Sequence, residues 1–498
     1  MDRRDRKVMR CDTRKLILSS VSAALILMTA LSLVCGHGLS GIGSETIPAR
    51  AGAGSTMPSS SPGPGSPEVN AAAFKGQGRL AFVCQGLLYV LDGGTGEIGE
   101  LTHGSVDMAN SLGSLHLGPG RAASQPSWSP DGHWLAFRYT NGSQPAAESL
   151  WIMDNAGHVI GMTTGSFGQF SWSPAGNTLA VAKDDGLWLV TPNGTLTGDM
   201  RRLVPASASA GINAAQAALS TSFAWSPDGK TLAYSVTLPF DPKNSEGPSD
   251  ALYTVAVDGG QPVRRLVTPR DGIIVAGWWP DGRGLLYWLD WDHSGSLKAD
   301  GLNLYSLQLG NTKPKLLANG LTYPEWLSLS PRGRLLMVTG GDRMIWHNKS
   351  LAMIDVASGS MQELRNPAGC VALDPSLSAD GHRIAFVAPR DEGKYSDSIG
   401  GTGALAAWVA SRTLWIENAD GSGAHPLTSA GQGIYQPLWS RDGSHILYVK
   451  DNSLWLIGAD GGEPAKICGR ITTDDLTAGS FGYYGFISYD NQMAWFQP

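Results

Sequence analysis

Ser127-Trp128-Ser129-Pro130-Asp131-Gly132, followed at once by the apolar run Leu135-Ala136-Phe137, decides the fold because it returns along the chain. It recurs as Ser171-Trp172-Ser173-Pro174-Ala175-Gly176 and as Ala224-Trp225-Ser226-Pro227-Asp228-Gly229. Looser copies are Gly277-Trp278-Trp279-Pro280-Asp281-Gly282, Ser328-Leu329-Ser330-Pro331-Arg332-Gly333, Ser376-Leu377-Ser378-Ala379-Asp380-Gly381 and Leu438-Trp439-Ser440-Arg441-Asp442-Gly443. The seven copies lie from 44 residues apart (Trp128 to Trp172) to 62 (Leu377 to Trp439). The residue types suit a tight hairpin turn. Pro presets φ at the second position, Asp tolerates the third, and Gly takes the left-handed conformation that closes it.

A second phrase follows each first one: an apolar strand ending in a polar, Gly-bearing turn, as in Leu252–Gly260 and Leu454–Gly462, then a short strand such as Val263–Leu266. Each unit therefore reads as a four-stranded antiparallel meander. One meander cannot bury both of its faces, whereas a ring of them can, so the period argues for a β-propeller. Trp128 and its counterparts, just ahead of the turn, are sized to fill the gap between neighbouring sheets.

These phrases resemble the TolB-type propeller repeat, a relative of WD-type repeats that also forms the propellers of prolyl oligopeptidase and dipeptidyl peptidase IV. The resemblance covers about 73–498 and implies an all-β fold. The ends set the blade count. Arg79–Val83 and Leu87–Asp92 resemble a repeat lacking its first strand, and Tyr484–Tyr489 resembles a first strand lacking its repeat. Pairing these N- and C-terminal segments closes the ring and gives eight blades, with seven as the alternative. Met493–Phe496 is left as an extra strand without a place.

Composition agrees. At 498 residues and 42% apolar, the chain can bury a large core, while 64 Gly, 17 Trp and only 16% charged residues favour strands and turns over long helices. The formal net charge is −6, but residues 1–36 carry +4 and the remainder −10. An acidic folded part repels a phosphate backbone, which excludes nucleic acid as the expected partner. Cys11, Cys35, Cys84, Cys370 and Cys468 include no CxxC pair, so no structural zinc site is indicated. Cys84, Cys370 and Cys468 read as small buried side chains or, in an exported domain, as disulfide partners.

Leu16 to Gly36 is 21 residues without a charge, behind a basic stretch. Such a run can cross the hydrocarbon core as a helix, with its basic flank in the cytoplasm and the propeller outside. It is read as a retained anchor, a cleaved signal peptide (near Val34-Cys35-Gly36) or a lipoprotein signal at Cys35. Ala51 to Asn70 is almost all Gly, Ser, Ala and Pro, a spacer that cannot bury a core. The expected organisation is thus 1–36 signal or anchor, 37–72 linker and 73–498 propeller.

The sequence offers little chemistry. It contains no G-x-S-x-G elbow, P-loop, H-E-x-x-H or Rossmann fingerprint. The peptidase relatives carry a hydrolase domain and TolB an α/β domain before its propeller. Repeats take up 73–498 and 37–72 is too short for the TolB domain, so no family site residues are carried over. His103, His133, His347 and His445 fall in or near turns and read as surface residues. One run resembles a calcium loop: Asp290, Asp292 and Ser294 supply oxygens at alternate positions, Gly295 follows, and Asp300 lies one place before the expected final acid. Against it stands a plain solvated loop.

In an up-and-down blade, the first-to-second and third-to-fourth turns share one face of the ring. Those turns are tight here. The insertions Thr102–Gln125, Pro205–Thr221, Pro239–Asp250, Asp290–Leu302 and Arg390–Arg412 all fall on the other face, which becomes the candidate binding surface. The expected function is a non-enzymatic, extracytoplasmic scaffold that binds a protein, a peptide or a cell-envelope glycan. The alternative is a propeller lyase or hydrolase with its site at the central channel.

Overall fold

The computed structural model describes residues 67–103, 115–116, 122–140, 148–154, 157–164, 167–193, 199–205, 222–238, 249–294, 301–393, 402–471 and 489–498. All belong to one compact unit, Ser55–Pro498. The calls on 1–36 and on most of the linker lie outside them. No helix among the described residues is long and apolar enough to cross a membrane.

Eight four-stranded antiparallel sheets follow one another, each running from an inner to an outer strand. Blade 2 is Ala122–Trp128, Trp134–Thr140, Glu148–Asp154 and Val159–Thr164. Blades 3, 4 and 5 have inner strands Phe167–Trp172, Phe223–Trp225 and Gly272–Trp278. Those of blades 6, 7 and 8 are Leu327–Leu329, Leu373–Leu377 and Ile434–Trp439. Blade 1 takes three strands from Arg79–Cys84, Leu87–Asp92 and Ile98–Glu100, and its inner strand from Met493–Phe496.

That closure corrects one expectation. The termini do share a blade, but the strand that pairs with Arg79–Cys84 is Met493–Phe496, with Leu80 opposite Trp495 and Phe82 opposite Met493. The reason is register. Trp495 faces Leu80 as Trp128 faces Leu135 and Trp172 faces Leu179, so Trp495 is the motif tryptophan of blade 1. Of the segment assigned to this role, Tyr489 is buried coil and 484–488 lie outside the described residues.

The repeat turn has the chemistry its residues suggest. In blades 2, 4, 7 and 8 the motif serine donates to the motif aspartate at 2.6 Å (Ser129–Asp131, Ser226–Asp228, Ser378–Asp380, Ser440–Asp442) and accepts the N–H of the next strand. Hydrogen bonds from Ser440 and Ser444 hold the Asp442 carboxyl down to about 2. Gly132 has φ 68° and lies so close to Phe496 and Arg79 that a Cβ would collide with both. The glycine is thus needed for the turn and for the approach of the preceding blade.

Apolar side chains from facing sheets fill each gap between blades. Ala81, Val83, Leu88 and Val90 of blade 1 meet Leu135, Phe137, Tyr139 and Met153 of blade 2. Indole N–H groups then tie inner strand to inner strand. Trp128 donates to Ala494 O (3.1 Å), Trp172 to Ser127 O (2.9 Å), and Trp225, Trp278 and Trp439 to Ser171 O, Ala224 O and Ser376 O (3.0 Å each). Each acceptor is the residue just before the corresponding position of the preceding blade. A second tie sits at bulges in the inner strands. Gln125, Asp374 and Gln436 have φ of 54°, 46° and 47°, each directly before a proline, a conformation that costs non-glycine residues energy. From this position Asp374 accepts the Gln436 N–H (3.4 Å), and Gln436 accepts that of Tyr489 (2.9 Å).

Candidate binding face

Chain direction puts the second-to-third turns and the blade-to-blade links on one face. Parts of the insertions that face it (104–114, 117–121, 206–221, 239–248, 295–300 and 394–401) lie outside the described residues. Over blades 6 to 8 much of the connecting chain is described, 394–401 and 472–488 excepted, and the described parts are packed. Met344, Ile345 and Trp346 from blade 6, Trp408 from blade 7, and Tyr323 and Trp326 from the link into blade 6 join one buried cluster. Trp346 meets Trp408 edge-on at 6.2 Å between ring centroids, and Tyr323 meets Trp326 at 4.8 Å. Trp408 belongs to helix Thr402–Ala410, set in the stretch read from sequence as a plain loop.

Beneath this roof lies a polar node. Arg412, 1% exposed, bonds Asp374 with one Nη and Ile434 O with Nε (2.8 Å). Its guanidinium stacks over Tyr435 at 4.1 Å. Trp326 Nε1 donates to the other Asp374 oxygen (3.0 Å). A buried charge pair of this kind holds only while every partner is present. Nearby, Lys349 is fully buried and donates to Asp342 and to His347 O (3.1 Å). Burial pushes its ammonium below the usual lysine range, and the Asp342 bond opposes that. His347, read as a surface residue, pairs with Asp391 at 3.1 Å and so fastens the blade 6 loop to blade 7.

Beside helix Thr402–Ala410 a cleft of about 430 Å³ opens over blade 8, within the size range of ligand sites. Ala406, Val409 and Ala410 form its apolar wall, Tyr435 and Tyr489 its base, and Lys450 and Asp451 part of its rim. Tyr489 Oη donates to Asn452 Oδ1 (2.9 Å), and Lys450 Nζ to Gln432 Oε1 (2.7 Å). The cleft therefore combines an apolar side with a fixed polar edge.

A second cleft, of about 520 Å³, is lined by the inner-strand residues Gln125, Ser127 and Gln169 together with Arg138 and Asn491. Arg138 is spent on structure: it bonds Glu148, Gln125 Oε1 (3.0 Å) and Gly168 O (2.9 Å), and lies 4.3 Å from the Phe167 ring.

At the calcium-like run, Asp290 ends a strand of blade 5, is buried, and accepts the Ser294 N–H (3.0 Å). The Asp292 side chain and Asp300 lie outside the described residues. His293, between them, turns toward Asp250 of blade 4, with Nε2 3.7 Å from Oδ1. Among the described residues no three His, Cys, Asp or Glu side chains are grouped to hold a metal ion. Cys84, Cys370 and Cys468 are free thiols, and burial pushes Cys84 up to about 11. His445 is bonded by Ser444 (2.7 Å), while His133 is exposed in its turn.

The sequence reading missed Arg412, Asp374 and Tyr489. One signal was available. A Gln or Asp before Pro stands three residues ahead of the motif tryptophan or leucine in Gln125-Pro126, Asp374-Pro375 and Gln436-Pro437, and it marks the bulges.

No protein-family model matches the sequence, and no curated protein matches it. Solved structures do. Dipeptidyl peptidase 4 from Porphyromonas gingivalis is 12% identical with TM-score 0.50, over 80% of this chain and 60% of that one. TolB from Acinetobacter baumannii is 15% identical with TM-score 0.32, over 73% and 66%. The β-propeller domain of the Trilobed protease from Pyrococcus furiosus is 11% identical with TM-score 0.42, over 71% and 99%. The chain thus spans 60% of the length of the dipeptidyl peptidase it matches. The likeness to that enzyme establishes the fold. The ring is a β-propeller of eight blades, and the repeated phrase seen at Ser127–Gly132 marks seven of its turns.

Proposed function

We propose that this propeller is a binding scaffold held or released outside the cytoplasm by way of Leu16–Gly36, and that it engages a protein or peptide with the face over blades 6 to 8. The observation that carries the reading is the packing of that face. Its loops are fixed by Trp326, Trp346 and Trp408 around a buried Arg412–Asp374 pair, and they frame a cleft with an apolar wall. Loops preorganised on a rigid frame bind at lower entropic cost. The alternative, a channel-site enzyme, would draw on Arg138 at the second cleft, and Arg138 is committed to four neighbours, Glu148 among them.

Site-specific photo-crosslinkers test the reading in the full-length protein in membranes. Placed at Ala406 and Asp451 beside the cleft, they should trap a partner that a crosslinker at Asp258, on the opposite face, does not. Crosslinks from Asp258 alone would overturn it. Topology is tested separately: protease added to intact spheroplasts should cleave within Ala51–Asn70, and full protection there would refute the placement.

A further inference from the structure

The face of tight turns is not flat between blades 3 and 4. A groove of about 480 Å³ opens there, lined by Ser173, Thr178, Thr191, Asp199, Arg201 and Trp225 among others. Its origin lies in two departures from the repeat. In blade 1, Arg79 stands one residue ahead of Leu80, the partner of that blade's motif tryptophan, and pairs across the sheet with Asp92. The Arg79 guanidinium covers Trp128 of the next blade at 5.2 Å. Arg383 covers Trp439 at 4.8 Å in the same way. In blade 3 the places of Arg79 and Asp92 are taken by Thr178 and Thr191, whose hydroxyls are 3.3 Å apart. The arginine that blades 1 and 7 lay over the next tryptophan is thus replaced by two short side chains beside Trp225, as it also is in blade 4, where Thr231 pairs with Ala256. In addition, Ala175 replaces the motif aspartate, so the Ser173 hydroxyl lacks the acceptor that its counterparts in blades 2, 4, 7 and 8 have.

We propose that this groove is a saccharide subsite, in which one sugar ring lies over Trp225. An indole face matches the apolar C–H face of a pyranose. Around it stand the groups that suit ring hydroxyls. Thr178 and Thr191 donate and accept, Asp199 accepts, and Arg201 donates. Asp199 is steadied by Asn193 (Nδ2 to Oδ1, 3.0 Å), and Arg201 is anchored by a bond to Val257 O. A cationic side chain, which fills the equivalent space in blades 1 and 7, fits less well. The Asp92 counterpart is missing and Arg201 opposes a second positive charge. The inference concerns the face opposite the proposed protein-binding surface and stands independently of it.

The test uses the propeller in its full chain with maltotriose, cellotriose and tri-N-acetylchitotriose as probes, followed by tryptophan fluorescence and saturation-transfer NMR. At least one should bind with Kd near or below ~1 mM. Thr178→Arg combined with Thr191→Asp rebuilds the blade 1 pair and plugs the groove. It should keep or raise the melting temperature and weaken binding at least tenfold. Trp225→Leu should give the same loss, and leucine already occupies this position at Leu329 and Leu377. If it does not fold, the plugged variant decides alone. No saturable binding of any probe overturns the proposal, as does undiminished binding by the plugged variant. Binding of an oligoarginine peptide in place of the sugars, abolished by the plug, would assign the groove to a cationic partner and equally overturn it.

Discussion

Two kinds of seam hold this ring together, and they work in different ways. In the tryptophan seams, which lead into blades 2 to 5 and blade 8, an indole N–H reaches a carbonyl of the preceding inner strand, and apolar packing does the rest. The seams into blades 6 and 7 have Leu329 and Leu377 at that position. Between blades 5 and 6, Trp279 substitutes from the next residue, through Ser306 Oγ (3.0 Å) to Val356 O (2.6 Å). Between blades 6 and 7 the tie moves to Trp326 Nε1 on Asp374, a carboxylate that Arg412 of its own blade holds in place under the packed loops. One architecture thus tolerates two adhesives. The tryptophan seam is spread over many weak contacts and should degrade gradually. The ionic seam hangs on one carboxylate, shared by Arg412 and Trp326, and should fail sharply.

The largest effect should come from removing Met493–Pro498. The deletion takes away the inner strand of blade 1, the acceptor of Trp128 and the buried Met493, Ala494 and Trp495 contacts. With roughly 1.5–3 kcal/mol for each large side chain fully buried, and open edges left on the ring, the whole propeller should lose several kcal/mol. Denaturant unfolding reads this, and an unchanged midpoint would show that closure does not matter. Arg412→Leu comes next. Leaving Asp374 charged and unpaired should cost about 3–5 kcal/mol, and Arg412→Leu with Asp374→Leu should recover much of it. If the single variant loses less than about 1 kcal/mol, the distinction between the seams collapses. Trp172→Leu should cost roughly 2–3 kcal/mol, part area and part hydrogen bond, with no rescue by a second change.

The smallest effect sharpens the comparison through pH. Glu417 is 3% exposed, faces the seam between blades 6 and 7, and has its carboxyl pushed from 4.5 to about 7, first by burial and then by Asp420. The native state therefore holds a proton that the unfolded chain releases. Stability should fall as pH rises from about 5 to 7, and the loss should be complete above 7. Glu417→Gln should remove this slope, matching the parent at pH 5 and exceeding it at pH 8 by up to a few kcal/mol. Melting curves of parent and variant that stay parallel across that range would refute the assignment.

Seven motif turns were legible because each keeps the closing Gly with a Pro or an Asp ahead of it, residues that solve one local problem whatever surrounds them. The eighth blade was legible only as a need. Trp495-Phe496-Gln497-Pro498 carries the tryptophan but none of the turn residues, so register alone reveals it. The Arg412–Asp374 node could not be read at all. Its members come from the end of a long insertion and from a bulge, and nothing local records their meeting. The groove over Trp225 was half legible. Ala175 was visible as a departure from the motif, but that Thr178 and Thr191 replace a filling pair is known only once the blades are superposed by their pairing. The helix in the blade 7 insertion was missed because Thr402–Ala410 is short and apolar on most sides, and Trp408 packing holds it in place.

The composite blade also fixes an order of events. The indole of Trp495 donates to Gln77 O across 418 residues of sequence, so the first blade waits for nearly the whole chain. Loop closure over such a span costs only about 0.6 kcal/mol more for each doubling of length, yet contacts this distant form late and slowly. While the chain emerges from a ribosome or an export channel, Arg79–Cys84 has no inner neighbour until Met493–Phe496 has been delivered. The ring is thus a clasp rather than a stack. In such a clasp the last strand delivered completes the first blade made.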